Sequence, residues 1–132
     1  MGKKVYNKLV RSEIPEIIKS EGRTCTYVEL DVEEDKDHII QLLKEKLIEE
    51  AQEVMEAKHR GNLIEELGDL NSVYHELVRL LGCSYVIGDV SKAKDIQKGQ
   101  FKIGVDVNGR RVSSRDPYDS LKYIKLISVD DE

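Results

Sequence analysis

The chain has 132 residues, of which 36% are charged and 39% are hydrophobic, with one Phe, six Tyr and no Trp. This length allows one domain with a modest core, and the composition is typical of a globular, helical protein rather than of a disordered one. The net charge of −5 argues against a dedicated nucleic-acid-binding protein, because a phosphate backbone is held by a basic surface.

The first predicted element is a short helix over residues 12–20. Ser12 is expected to cap this helix, Pro15 falls in its first turn, where a missing N–H is tolerated, and Gly22 ends it. Residues 24–30 alternate weakly and contain Thr, Tyr and Val, which indicates a short extended segment.

Two long amphipathic helices are predicted next, over residues 34–58 and 63–81, because apolar residues recur at steps of three and four. We expect residues 60–62, Arg-Gly-Asn, to break the helix and to fold the two helices antiparallel. Gly82 is expected to end the second of them. The apolar stripes consist of Ile40, Leu43, Leu47, Ala51 and Val54, and of Leu63, Leu67, Leu70, Tyr74, Leu77, Val78 and Leu81.

A fourth helix and a small β region complete the predicted elements. Ser84 is expected to cap the fourth helix, which ends near Lys98 and Gly99. Valines then flank Asn108-Gly109, a strong signal for a two-residue hairpin turn. Residues 115–117 indicate a loop, residues 122–127 alternate like a strand, and residues 130–132 indicate a loose acidic end.

These elements predict a mainly α fold, an antiparallel bundle of about four helices with a small C-terminal β-hairpin or strand appendage. We expect one domain over residues 1–132, with 104–132 as its β-containing extension. Because large apolar side chains are scarce, we expect the core to be completed by self-association, as a homodimer or a homotetramer. The chain opens without a signal-peptide pattern and contains no apolar run long enough to span a membrane, so we expect a cytoplasmic protein without membrane partners.

The candidate chemistry lies in two acidic clusters, Glu49-Glu50-Ala51-Gln52-Glu53 and Glu65-Glu66-Leu67-Gly68-Asp69. By helical angle, Glu50 lies at the edge of its apolar stripe with Glu53 just beyond it, and Glu66 lies inside the next stripe with Asp69 on its flank. Carboxylates that face a core are rare unless they are paired, because losing hydration costs several kcal/mol per ion.

Antiparallel packing brings these four carboxylates towards one point. Lys46 is the only cation in the stretch from Glu45 to Met55, so a hard divalent cation such as Mg²⁺ is the natural counter-charge. The alternative interpretation is that each cluster is a solvated helix face without a ligand.

Three motifs, in order, resemble a known family. The first is the pair Glu49-Glu50-x-x-Glu53 and Glu66-x-x-Asp69, similar to the E-E-x-x-E…E-x-x-D signature of the MazG-like, all-α nucleotide pyrophosphohydrolase superfamily. Two further stretches resemble its branch related to phosphoribosyl-ATP pyrophosphohydrolase. They are the opening Tyr6-Asn7-Lys8-Leu9-Val10-Arg11-Ser12-Glu13-Ile14-Pro15-Glu16-Ile17-Ile18 and the later Lys94-x-x-x-Lys98-Gly99-Gln100-Phe101. The likeness covers about residues 5 to 103, with departures at Ser12-Glu13 and at Lys98-Gly99-Gln100.

The resemblance implies a role for each matching residue. Glu50, Glu53, Glu66 and Asp69 would be ligands of Mg²⁺, with Mn²⁺ as a substitute. Glu49 would help to activate water or hold a second ion. The implied phosphate-binding residues are Lys8, Arg11, Lys94 and Lys98. For these four, the alternatives are ordinary surface charges and cations that favour a helix C-terminus.

The expected function is therefore Mg²⁺-dependent cleavage of the α–β phosphoanhydride of a nucleoside triphosphate or a phosphoribosyl-ATP-like nucleotide, releasing a monophosphate and pyrophosphate. An alternative is a helical module that binds metal and nucleotide without turnover, as a sensor or protein partner. A second alternative is a purely structural helical dimer, for which Mg²⁺ would not raise the melting temperature.

Overall fold

The computed structural model describes residues 2–106, 108–110 and 122–130. It contains α1 (Ile14–Ser20), α2 (Lys36–Glu56), α3 (Arg60–Leu81) and α4 (Ser84–Lys98). The chain divides into two compact units, residues 1–82 and 83–132. The prediction of a mainly helical fold is confirmed.

In the first unit, α2 packs against α3. The two helices are joined by only three residues, so they run antiparallel, as in an αα-hairpin. The buried apolar side chains are Leu43 of α2 and Val73 and Val78 of α3. Among the described residues no other apolar side chain is buried, so this pair of helices forms a thin core.

The connection between α2 and α3 differs from the predicted one. The expected break at residues 60–62 is wrong, because these residues form the first turn of α3. Ala57 and His59 have extended backbones instead, and the N–H of Leu63 donates to the carbonyl of His59 at 2.9 Å. A glycine in a first helical turn breaks no bond, since the first four N–H groups have no partner within the helix.

The predicted caps are wrong at two helix starts. α1 begins after Glu13 rather than at Ser12, and α4 begins after Cys83, with Ser84 already helical; neither start has a side-chain cap. The helix ends agree better with the sequence. Gly82 adopts the left-handed conformation with φ of 65°, and its N–H donates to the carbonyl of Arg79 at 3.0 Å.

The second unit contains α4 and a small amount of β structure. Lys102 and Tyr123 form an isolated antiparallel bridge, and the N–H of Ile103 donates to the carbonyl of Lys122. A turn is closed by the backbones of Asp106 and Arg110, which bond at 2.8 Å. The turn lies at the predicted place, but the flanking Val107 and Val112, the loop at 115–117 and the end at 131–132 fall outside the described residues, so the hairpin stays a prediction.

No helix in the described part of the chain is both long enough and apolar enough to cross a bilayer.

Gly82→Ala should destabilise the protein by about 1 kcal/mol, because a side chain in the left-handed region meets its own backbone. Gly82→Asn is the matched control, since asparagine tolerates this conformation, and it should lose less. Urea denaturation followed by circular dichroism measures both changes. Equal losses for the two variants would show that the backbone angle is not the cause.

Candidate metal centre

Two acidic residues lie on the helix faces through which α2 and α3 contact each other. Glu50 follows Leu43 by two helical turns on α2, and Glu66 precedes Val73 by two turns on α3. Such spacing places each acid on the same face as a buried apolar side chain. Glu50 is only 6% exposed, and Glu66 is half-buried. The sequence placed Glu66 inside its apolar stripe and Glu50 only at the edge of its own, whereas in the structure Glu50 is the more buried of the two.

The four predicted ligand carboxylates converge. Glu50, Glu53, Glu66 and Asp69 each offer one carboxylate oxygen, and these four oxygens lie within 4.8 Å of one another. Glu53 and Asp69 are half-buried like Glu66. Because Glu53 lies four residues before the connection and Glu66 lies seven after it, the antiparallel helices bring the two clusters to the same level.

Two buried carboxylate oxygens in this group have no hydrogen-bond partner: Oε2 of Glu50 and Oε2 of Glu66. Buried polar atoms are normally satisfied, because an unpaired one loses its hydration without compensation. An unsatisfied oxygen on a carboxylate that is almost fully buried, and that belongs to a group of four, fits a hard divalent cation. Oxygen ligands at this spacing suit Mg²⁺ or Mn²⁺.

Crowding raises the pKa of two of these carboxyl groups. Loss of hydration on burial raises the pKa of Glu50, and a hydrogen bond that its protonated form can share with Glu53, together with the negative charge of Glu53, adds to the rise. The pKa of Glu66 is also raised, first by a hydrogen bond that its protonated form can share with Glu53 and then by desolvation and the neighbouring charges. A cation bound among these carboxylates would favour their ionised forms.

Three basic side chains contact the acidic group, by which we mean the four converging carboxylates together with Glu49. Lys8 Nζ donates to Glu49 Oε1 at 2.7 Å, and Lys46 Nζ lies 3.4 Å from the other oxygen of Glu49 and 3.6 Å from Glu50 Oε1. Arg11 Nη2 donates to Asp69 Oδ1 at 2.9 Å. With every group ionised, Glu49 and the four converging carboxylates carry five negative charges against these three positive ones. The excess of two equals the charge of one divalent cation.

Glu49 differs from the other acids of its motif. It does not belong to the four converging carboxylates, and it accepts hydrogen bonds from both Lys8 and Lys46. The bond from Lys8 holds the pKa of Glu49 below its ordinary value, and Glu49 in turn raises the pKa of Lys8. Its predicted part in activating water or holding a second ion stays a prediction.

The predicted phosphate-binding residues lie in both units. Lys8 and Arg11 belong to the first unit, where their side chains reach the acidic group. Lys94 and Lys98 are exposed and lie one turn apart on α4, in the second unit. Lys46 was not predicted as a site residue, although its spacing of three and four residues to Glu49 and Glu50 could have indicated the contact.

Comparison with known proteins adds no relative. No family model matches the chain, and neither a curated protein nor a solved structure matches it. The family resemblance therefore stays a prediction that depends on the motifs themselves.

Glu50→Gln should stabilise the protein in chelator at pH 7 by about 1 kcal/mol, because it removes a buried, unsatisfied negative charge. In the wild type, the raised pKa values of Glu50 and Glu66 give a stabilisation that is complete below the ordinary carboxyl value of 4.5. That stabilisation is lost as the pH rises through the higher, folded-state pKa values. The variant should lose less stability over this rise.

Urea denaturation in chelator at pH 5 and pH 8 measures this difference. The exposed Glu45→Gln on the same helix is the control and should leave the pH dependence unchanged. If the wild type became more stable as the pH rises over this window, the interpretation of Glu50 as a buried carboxylate with an unpartnered oxygen would be contradicted.

Proposed function

We propose that this chain is a cytosolic, Mg²⁺-dependent nucleotide pyrophosphohydrolase. It hydrolyses the α–β phosphoanhydride of a nucleoside triphosphate, or of a phosphoribosyl-ATP-like nucleotide, to a nucleoside monophosphate and pyrophosphate. The observation that carries this proposal is the convergence of four carboxylates, one of which, Glu50, is buried and has an oxygen without a hydrogen-bond partner. The motifs that resemble the MazG-like superfamily support the reaction type.

The proposed ligands of Mg²⁺ are Glu50, Glu53, Glu66 and Asp69. When bound, Mg²⁺ supplies positive charge to the phosphates and makes water more acidic. The carboxylates hold the ion at the contact of α2 and α3, and a rigid contact is the kind of support that positioning of a phosphate needs. An acidic protein can hold a polyphosphate in this way because the cation mediates between the two negative partners.

Positive side chains complete the proposed site. Phosphoryl transfer is catalysed mainly by positioning and by stabilising charge on the phosphate oxygens. Lys8 and Arg11 are already at the edge of the acidic group and are the proposed phosphate contacts of the first unit. For Lys94 and Lys98, which belong to the second unit, a phosphate-binding role is implied by the resemblance alone.

We also propose that the protein self-associates as a homodimer or homotetramer. The pair α2 and α3 buries few apolar side chains and leaves others in water: Ile48 is 70% exposed and Met55 is 81% exposed. Leu67 and Tyr74, two turns apart on one face of α3, are also exposed. A second pair of helices covering these side chains would supply the burial that a two-helix unit lacks.

Glu66→Gln should abolish pyrophosphate release while leaving the helical content unchanged, since it replaces a proposed ligand by a neutral group of the same shape. The assay measures pyrophosphate from a panel of nucleoside and deoxynucleoside triphosphates and phosphoribosyl-ATP, with Mg²⁺ and with chelator. The neighbouring Glu65→Gln is the control, because Glu65 is exposed and does not belong to the four converging carboxylates.

Full hydrolysis by Glu66→Gln would contradict the ligand assignment. A melting temperature that rises with Mg²⁺ in the absence of turnover on every substrate would favour the alternative function, a metal-binding and nucleotide-binding module. If Mg²⁺ changed neither the melting temperature nor any activity, the result would favour the second alternative, a purely structural helical dimer.

Tyr74→Glu should dissociate the proposed oligomer, because it places a charge in the apolar face of α3 that a second copy would cover. His75→Glu adds the same charge on the adjacent, exposed face and is the control. Sedimentation velocity measures the molecular weights of the wild type and both variants. A monomeric wild type at micromolar concentration would exclude the proposed association.

A further inference from the structure

The ion pair between Arg11 and Asp69 occupies a proposed ligand of the metal. Arg11 Nη2 donates to Asp69 Oδ1 at 2.9 Å, and Asp69 is one of the four carboxylates whose oxygens converge. Both side chains keep part of their surface in water, 63% for Arg11 and 45% for Asp69. The pair is therefore weak enough to be broken by a stronger partner, since exposed ion pairs contribute little.

The segment that carries Arg11 is attached to the site at a second point. Lys8 contacts Glu49, which lies outside the four converging carboxylates, and the Lys8 ammonium also lies 5.6 Å from the centre of the Tyr6 ring. Asn7, between them, has a left-handed backbone with φ of 47°, a conformation that asparagine adopts more readily than most residues. Binding of a cation to the four carboxylates would leave this second attachment in place.

A divalent cation and Arg11 compete for Asp69. Two positive groups within a few ångströms of each other repel, and a carboxylate that shares its charge with a bound cation is a poorer acceptor for a guanidinium, whichever of its oxygens coordinates the cation. We infer that Arg11 is an internal counter-ion of the metal site, which pairs with Asp69 before the cation binds and is displaced from it by the cation. Displacement leaves Arg11 near the site, because three residues of extended chain from Lys8 span at most about 10 Å.

After displacement, the Arg11 side chain can bind a phosphate of the nucleotide. This step rests on the proposed function, since it assumes that a phosphate is bound beside the cation. A guanidinium binds phosphate through two parallel hydrogen bonds, a geometry that an ammonium cannot reproduce. The same residue would thus neutralise a carboxylate in the resting protein and a phosphate in the loaded one.

The first test is the affinity for Mn²⁺, measured by electron paramagnetic resonance or calorimetry without nucleotide. Arg11→Gln should bind Mn²⁺ about twofold to fivefold more tightly than the wild type, because no ion pair has to be broken. Arg79→Gln is the control: it removes the same charge from an exposed pair with Glu76, and Arg79 lies ten residues after Asp69 on α3. That distance, about 15 Å, exceeds the screening length at physiological salt, so the control should bind Mn²⁺ as the wild type does.

The second test uses inorganic pyrophosphate in the presence of Mg²⁺. Arg11→Gln should bind it at least about tenfold more weakly, through the loss of a charge-assisted hydrogen bond. Arg11→Lys should keep the Mn²⁺ affinity of the wild type, because it retains the counter-charge, and should bind pyrophosphate with intermediate affinity. Opposite changes in the two affinities distinguish an exchanging counter-ion from a structural residue, whose loss would weaken both.

The outcomes separate this inference from the proposed function. If the wild type binds Mn²⁺, Glu66→Gln weakens that binding and Arg11→Gln fails to tighten it, the metal site stands and the counter-ion exchange is wrong. If Arg11→Gln tightens Mn²⁺ binding and leaves pyrophosphate binding unchanged, the exchange is also wrong, since the displaced side chain does not reach the phosphate. If the wild type binds no Mn²⁺, both the proposed function and the exchange are wrong.

Discussion

The buried carboxylate of Glu50 is the constraint on which the rest of the first unit depends. It occupies a position in the contact between α2 and α3 that the periodicity of α2 would give to an apolar side chain. One of its oxygens has no hydrogen-bond partner. Its neighbours across the contact, Glu66 and Asp69, are acids as well, so they do not neutralise its charge. A chain selected only for stability would place a leucine there, because a buried leucine stabilises a fold by about 1.5–3 kcal/mol. The position is consistent with the proposed role of Glu50 as a metal ligand.

The cations near the acidic group show how the unit is held together without that ligand. Lys46 lies on the same helix as Glu49 and Glu50, so its contacts are local and follow from helix geometry. Lys8 and Arg11 come from a non-helical segment and reach acids that lie 41 and 58 residues further along the chain. Ordering of the N-terminal segment is thus coupled to the charge of the acidic group, and a ligand that changes this charge changes the energy of the segment as well.

Periodicity explains which parts of this arrangement could be predicted from the sequence. The helical stripes of α2 and α3 predicted both helices. The same angles placed Glu50 and Glu66 near the apolar stripes, but they did not predict that Glu50 would be the more buried of the two. The connection was misplaced because Gly61 looks like a helix breaker, whereas a first helical turn tolerates glycine. The reach of Arg11 to Asp69 could not be derived from periodicity, since a non-helical segment has no repeating face; only the motif resemblance associated it with the site.

The thin core and the acidic group are two consequences of one arrangement. Each position in the contact between α2 and α3 that carries an acid is lost to apolar packing. Among the described residues, the apolar core of this pair consists of only three buried side chains. The stability lost at Glu50 and Glu66 has to be recovered elsewhere. Binding of the proposed cation would recover part of it, by favouring the folded state that alone brings the four carboxylates together. A second copy that covers the exposed faces of α2 and α3 would recover another part. Metal binding and self-association should then stabilise the same two helices, and each should strengthen the other, because both act on the population of one folded state.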